Sequence, residues 1–122
     1  MDESILTSTK KVLGIDESYT AFDTDIIMHI NSIFAVLTQL GIGPVEGFAI
    51  SDSTATWGSF LGTDLQLNSV KTYVYLRVRL IFDPPATSFV LNAMQEQIRE
   101  LEWRLSVRRE ETGWVDPNLP VV

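Results

Sequence analysis

Between Leu65 and Leu105 apolar side chains recur at three- and four-residue steps, interrupted once at Asp83-Pro84-Pro85. Leu67, Val70, Val74, Val78 and Ile81 form one such stripe, and Leu91, Met94, Ile98, Leu101 and Leu105 form the next. This is the spacing of a single buried helical face, so the segment predicts two long helices. The prolines end the first, because proline lacks an N–H and disfavours a helical residue before it. Thr87 or Ser88 is placed to cap the second through its hydroxyl. A connection this short makes the pair an antiparallel hairpin.

Upstream, a first helix is expected from about Glu3 to Leu13, capped by Asp2, with Ile5, Thr9, Val12 and Leu13 on one face. Lys10 and Lys11 favour its negative end, and Gly14 suits a left-handed C-cap. Tyr19 and Phe22 are the anchors of the polar link that follows. Asp23 or Thr24 opens a second helix running to Leu40, with Ile26, Ile30, Ile33, Leu37 and Leu40 as its stripe, widened by Ile27 and Phe34. Met28 and Ala35 lie on its opposite side with Asn31 and Thr38, so this helix is expected to be covered on more than one side.

Residues 41–64 are rich in Gly, Ser, Thr and Asp. Within them Gly47–Ile50 suits a short extended piece, and Thr56–Leu61 a helical turn plugging the core with Trp57, Phe60 and Leu61. Beyond Glu111, the string TGWVDPNLPVV combines glycine, two prolines and alternating apolar residues. It is read as an extended C-terminal arm, residues 110–122, following a helical domain of residues 1–109. Its Trp114, Val115, Leu119, Val121 and Val122 suit a partner's groove or sheet edge; the other reading folds the arm back on its own bundle. The fold class is all-α: a small bundle on a long helical hairpin, with an irregular loop and an arm.

The totals narrow the functions open to such a bundle. A chain of 122 residues suits one domain, and 45% hydrophobic residues suffice for a core. A net charge of −7 is poorly suited to holding DNA by phosphate neutralisation. The polar helix faces are mixed or acidic, unlike a recognition helix, which ranks a helix-turn-helix reading last. With no cysteine there are no disulfides, thiolate metal sites or thiol nucleophiles. Neither a signal peptide nor a membrane-spanning run is apparent, so a soluble protein of a reducing compartment is expected.

Candidates for chemistry are few. The single histidine, His29, flanks an apolar stripe and reads as a half-buried structural residue rather than a ligand. Asp23 and Asp25 open a helix, where capping accounts for them. Glu96, Glu100, Arg99 and Arg104 read as a solvated charged face, and Asp52 with Ser51 and Ser53 as turn chemistry. Residues 41–64 hold no phosphate-loop or dinucleotide pattern. No catalytic, metal or cofactor site is assigned, and a non-enzymatic role is expected.

Two residues break the pattern. Arg77 projects near the middle of the Val70–Val74–Ile81 face and needs either a carboxylate or a route to solvent. Glu100 or Glu102 across the hairpin, or an acid on a neighbouring subunit, would serve. Trp103 projects opposite the Met94–Leu101 stripe, in line with Phe89 and Val107. A helix apolar front and back needs a second partner, and another copy of the chain is the simplest one. Phe89, Trp103, Val107 and Arg77 are therefore the candidate subunit interface.

The strings Phe22–Asn31 (FDTDIIMHIN), Ser69–Pro85 (SVKTYVYLRVRLIFDPP) and Leu101–Leu105 (LEWRL) resemble the head–tail connector, or adaptor, proteins of long-tailed bacteriophages. The likeness covers about residues 3–108 and rests on overall pattern. It implies an all-helical subunit forming a homo-oligomeric ring, usually of twelve copies, beneath the portal protein. Such a ring extends the DNA channel without sequence-specific binding and docks the next connector, stopper or tail protein. It also implies a location in the virion, reached from the host cytoplasm during assembly. The portal-binding arm would be Trp114, Val115, Leu119, Val121 and Val122, and loop 41–64 would contact the next ring or the channel. The alternative is a scaffolding or regulatory module that binds a partner helix.

Overall fold

A computed structural model describes residues 3–62 and 67–111 of the chain. These form five helices: α1 (Ile5–Val12), α2 (Asp23–Gln39), α3 (Trp57–Leu61), α4 (Leu67–Phe82) and α5 (Ser88–Glu111). Helix α4 is central, packed against α5 on one side and α2 on the other, while α1 leans on α2 and α3 on α4. The predicted hairpin is thus present, and the fold is the expected all-α bundle. No strand occurs among the described residues, only an isolated bridge between Ser4 and Thr56.

Burial follows the stripes. Ile26, Ile30, Ile33 and Leu37 of α2 meet Val70, Val74 and Val78 of α4, and Ile98 and Leu105 of α5 extend the same cluster. Phe34 joins the loop plug to it, its ring 4.6 Å from Phe60, 5.4 Å from Phe48 and 6.3 Å from Trp57. Thr56 caps α3 with a reciprocal Ser59 bond, and the indole of Trp57 donates to Ser8 Oγ at 2.9 Å. The extended piece 47–50 pairs with a side chain instead of a strand: Asn31 donates to the Ile50 carbonyl and accepts from its N–H, at 2.9 and 2.8 Å.

Several expectations need correction. Helix α1 begins later than predicted, and Ser4, not Asp2, caps it by accepting from Thr7 N–H at 3.2 Å. The cap falls there because Ser4 is bridged to Thr56, with Ile5 N–H donating to Ala55 O at 3.0 Å, which leaves Glu3 outside the helix. Val12 is exposed, although Leu13 beside it packs against the core. The second side of α2 is only partly covered: the loop closes over Asn31, but Met28 remains exposed. Ile81 is 49% exposed, because no described element of the subunit covers the C-terminal end of α4 on that side.

Lys10 is the largest surprise. It does not sit at the surface beside a helix terminus but is 2% exposed. Its ammonium lies 2.8 Å from Asp23 Oδ1 and donates to the carbonyls of Glu17 and Tyr19 at 3.0 and 2.7 Å. Asp23 therefore serves as counter-ion, and α2 starts with no side-chain cap at Phe22. One buried cation gathers α1, the link and the start of α2, as a desolvated charge demands.

Lys10→Met keeps the aliphatic stem but strands the carboxylate and two carbonyls. It is expected to destabilise by about 2–4 kcal/mol in denaturant titrations. Gly43 has φ +86°, and a Cβ there would lie 2.5 Å from the buried Phe60 ring. Gly14 has φ +79° with nothing within 4 Å. Gly14→Ala should therefore cost only backbone strain, about 1–2 kcal/mol. Gly43→Ala should cost at least about 1 kcal/mol more, because a core ring must also shift.

Candidate functional site

Helix α5 buries Met94, Ile98 and Leu105 against α4, with Leu91 and Leu101 half-buried beside them. One turn of helix rotates side chains by about 100° per residue, so Phe89 and Trp103 point away from this seam. Both stand in solvent, Phe89 83% and Trp103 67% exposed, with Val90 also exposed nearby. The outward ridge expected from the sequence is therefore present at these two residues. Helix α5 passes through Val107, but that side chain lies outside the described residues, as does the whole stretch 112–122 with its five arm residues.

The ridge is flanked by charge. Glu96 pairs with Arg99 at 3.2 Å and Glu100 with Arg104 at 2.5 Å, both exposed, as a solvated face requires. Such pairs contribute little to stability. Their acidic and basic charges balance.

Arg77 reaches across the hairpin to one of its two expected in-chain partners. Its Nη1 donates to the Tyr73 hydroxyl at 2.8 Å and lies 3.5 Å from Glu102 Oε2. The Tyr73 hydroxyl in turn donates to Glu102 at 2.8 Å. The guanidinium carbon also sits 5.6 Å from the centre of the Tyr73 ring. Glu100 is engaged elsewhere, by Arg104. Tyr73 is fully buried and is the member that periodicity alone missed, since a tyrosine on an apolar stripe reads simply as bulk. Burial, and then its bond to Glu102, push its phenol up to about 12, against the opposing pull of Arg77.

Beside this triad the hairpin leaves an open groove, lined by Arg77, Leu80 and Ile81 of α4 and Gln95, Ile98 and Arg99 of α5. Sequence spacing placed Ile81 and Ile98 on the apolar stripes of the two hairpin helices and gave no sign of a groove. A second aromatic set lies at the hairpin's turn end, where Phe22 meets Phe82 edge-on at 5.2 Å and Tyr19 at 5.7 Å. These are the anchors expected for the polar link. His29 is half-buried on α2, and among the described residues no three His, Asp or Glu side chains gather as a metal would need. No helix of the described residues is long and apolar enough to cross a membrane.

The described residues thus bring together an exposed aromatic pair on α5, a groove on the hairpin and a hydrogen-bonded Arg77–Tyr73–Glu102 set. Tyr73→Phe removes both hydroxyl bonds and should cost about 1–2 kcal/mol near neutral pH. Because the folded phenol titrates above the ordinary value, its stabilising effect is complete below about pH 10 and is lost toward pH 12. The stability gap between wild type and Tyr73→Phe should accordingly narrow between pH 10 and 12, as read by denaturant melts across that range.

No curated protein and no solved structure matches the chain. A family model described as phage connector protein matches residues 5–112, the five helices included. That agrees with the resemblance carried by the α2 and hairpin strings. The chain belongs to the phage connector protein family and is a head–tail connector of a bacteriophage.

Proposed function

We propose that the chain builds a ring, of twelve copies as the resemblance implies, between the capsid portal and the tail. The ring prolongs the DNA channel and presents a docking surface to the next connector, stopper or tail protein. The observation that carries this is the exposed Phe89–Trp103 ridge on the side of α5 turned away from its own core. An isolated subunit gains nothing from two aromatics held in water, whereas a neighbouring copy desolvates them. Val107, on the same face by spacing, and Arg77, at the rim of the adjacent groove, complete the proposed subunit interface.

The acidic charge of the chain supports the channel role. DNA slides past a surface that releases no counterions by binding it, whereas a basic lining would grip each phosphate. The proposed portal clasp is the segment 110–122, through Trp114, Val115, Leu119, Val121 and Val122, whose alternation of apolar and turn residues suits an extended strand lying in a groove. Contact with the next ring is placed on loop 41–64, whose tip carries the almost fully exposed Val45. In this reading the protein works by assembly and not by catalysis.

Replacing Phe89 and Trp103 together by alanine should leave the thermal melt nearly unchanged, since both are exposed, while abolishing self-association by sedimentation and ring formation on portal by electron microscopy. A chain ending at Arg109 should still fold but lose capture by portal assemblies. Undiminished capture without the arm would remove the clasp.

A further inference from the structure

Residues 41–55 contain no helix or strand, yet they are fastened along their length. At the near end the Gly41 and Ile42 N–H groups donate to the Thr38 and Leu37 carbonyls at 3.0 and 2.9 Å, closing α2. At the far end the Asn31 amide both donates to and accepts from the backbone of Ile50, which is buried. Between these points Phe48 lies on Phe34 at 5.4 Å and on Phe60 at 5.0 Å. A Cβ on Gly47 would come 3.9 Å from Thr38 Oγ1.

Gly47, Phe48 and Ile50 thus meet Thr38, Phe34 and Asn31 in that order, so the segment runs antiparallel along one stripe of α2. The lengths agree. Thr38 to Asn31 spans about 10.5 Å of helix, and three extended residues cover about 10 Å. Backbone groups buried outside any strand need partners, and at the end of this strap Asn31 serves both of those on Ile50. The Thr38 hydroxyl is turned instead to the Phe34 carbonyl of its own helix.

The tip between the two fastenings is a turn, Pro44–Gly47, closed by Gly47 N–H donating to Pro44 O at 3.0 Å. Val45 stands 95% exposed there, with Glu46 exposed beside it. A loop free in solution loses conformational entropy as it docks, whereas a loop already held has lost it on folding. The difference falls on the rate at which an encounter becomes a complex.

We propose that Asn31 is the positioning residue of the docking loop. It holds residues 47–50 against α2, so that the Val45–Glu46 tip meets the next connector, stopper or tail protein already shaped. This deepens the reading of loop 41–64 given above and rests on it.

A lysate of cells infected by the parent phage with a stop codon in this gene supplies the other virion parts, and purified full-length protein is added to it. Three quantities are followed: entry of the chain into sedimented heads, the rate and final yield of plaque-forming particles, and hydrogen exchange at the Ile50 amide. Asn31→Leu removes both bonds, and Asn31→Ser does so while leaving room for water. With either, the Ile50 amide should exchange at least tenfold faster and plaque-forming particles should appear at least tenfold more slowly. Entry into heads and final yield should match wild type. That split between rate and yield separates positioning from a merely weakened fold, which lowers entry and yield as well. Loss of entry or of yield with both Asn31 variants therefore overturns the proposal. Val45→Asp, at the exposed tip, should block particle formation after normal entry into heads. If it does while both Asn31 variants join at the wild-type rate, positioning is overturned and the loop reading stands. Wild-type joining by Val45→Asp removes the loop reading and the proposal together.

Discussion

Everything in this subunit depends on α4 being buried from two sides at once. Val70, Val74 and Val78 are inaccessible between α2 and α5, and each contributes roughly 1.5–3 kcal/mol by leaving water. A helix so enclosed has little freedom in what its remaining positions do. Arg77 lies half-buried beside this arc, where a guanidinium needs polar partners. Tyr73, one turn earlier on α4, and Glu102 on α5 supply them, and the Tyr73–Glu102 bond ties α5 to α4. A half-buried polar contact of this kind favours one alignment of two helices that apolar contacts alone would allow to slide.

The partners of α4 are not equivalent. Helix α2 is backed by α1 and by the loop through Asn31 and Phe34, whereas α5 packs mainly on α4. On its outer side Phe89 and Trp103 stay exposed among the described residues. The groove lies where α4 and α5 run side by side, with Ile81 left half exposed among the described residues. A third helix over the hairpin would have closed both features and left a self-sufficient bundle.

The buried Lys10 solves a different problem, that of a polar link between short helices. Residues 16–22 supply few apolar side chains, yet the start of α2 must be held near α1. A single ammonium bonded to Asp23 and two backbone carbonyls gathers that corner. The geometry is directional, so it positions Tyr19 and Phe22 at the hairpin's turn end more sharply than aliphatic contacts would. For an assembly protein, in which surfaces must register with neighbours, such fixed corners matter more than added stability.

Much of this was legible from residue order alone. Stripes at three- and four-residue steps located α2, α4 and α5, the paired prolines located the turn, and Trp57 and Phe60 announced the plug. Spacing also placed Phe89 and Trp103 on the outer side of α5, because the angle between helical positions is a property of the helix and not of its surroundings. What spacing could not supply was which stripe positions find a partner. Ile81 and Val12 stay exposed near helix ends, Lys10 turns inward because Asp23 waits there, and Glu102 rather than Glu100 meets Arg77. Local sequence sets the direction in which a side chain points, since that follows from covalent geometry and hydrogen bonding within a few residues. Whether another element stands in that direction is decided only when distant segments pack, and at Ile81, Phe89 and Trp103 none of the described elements does.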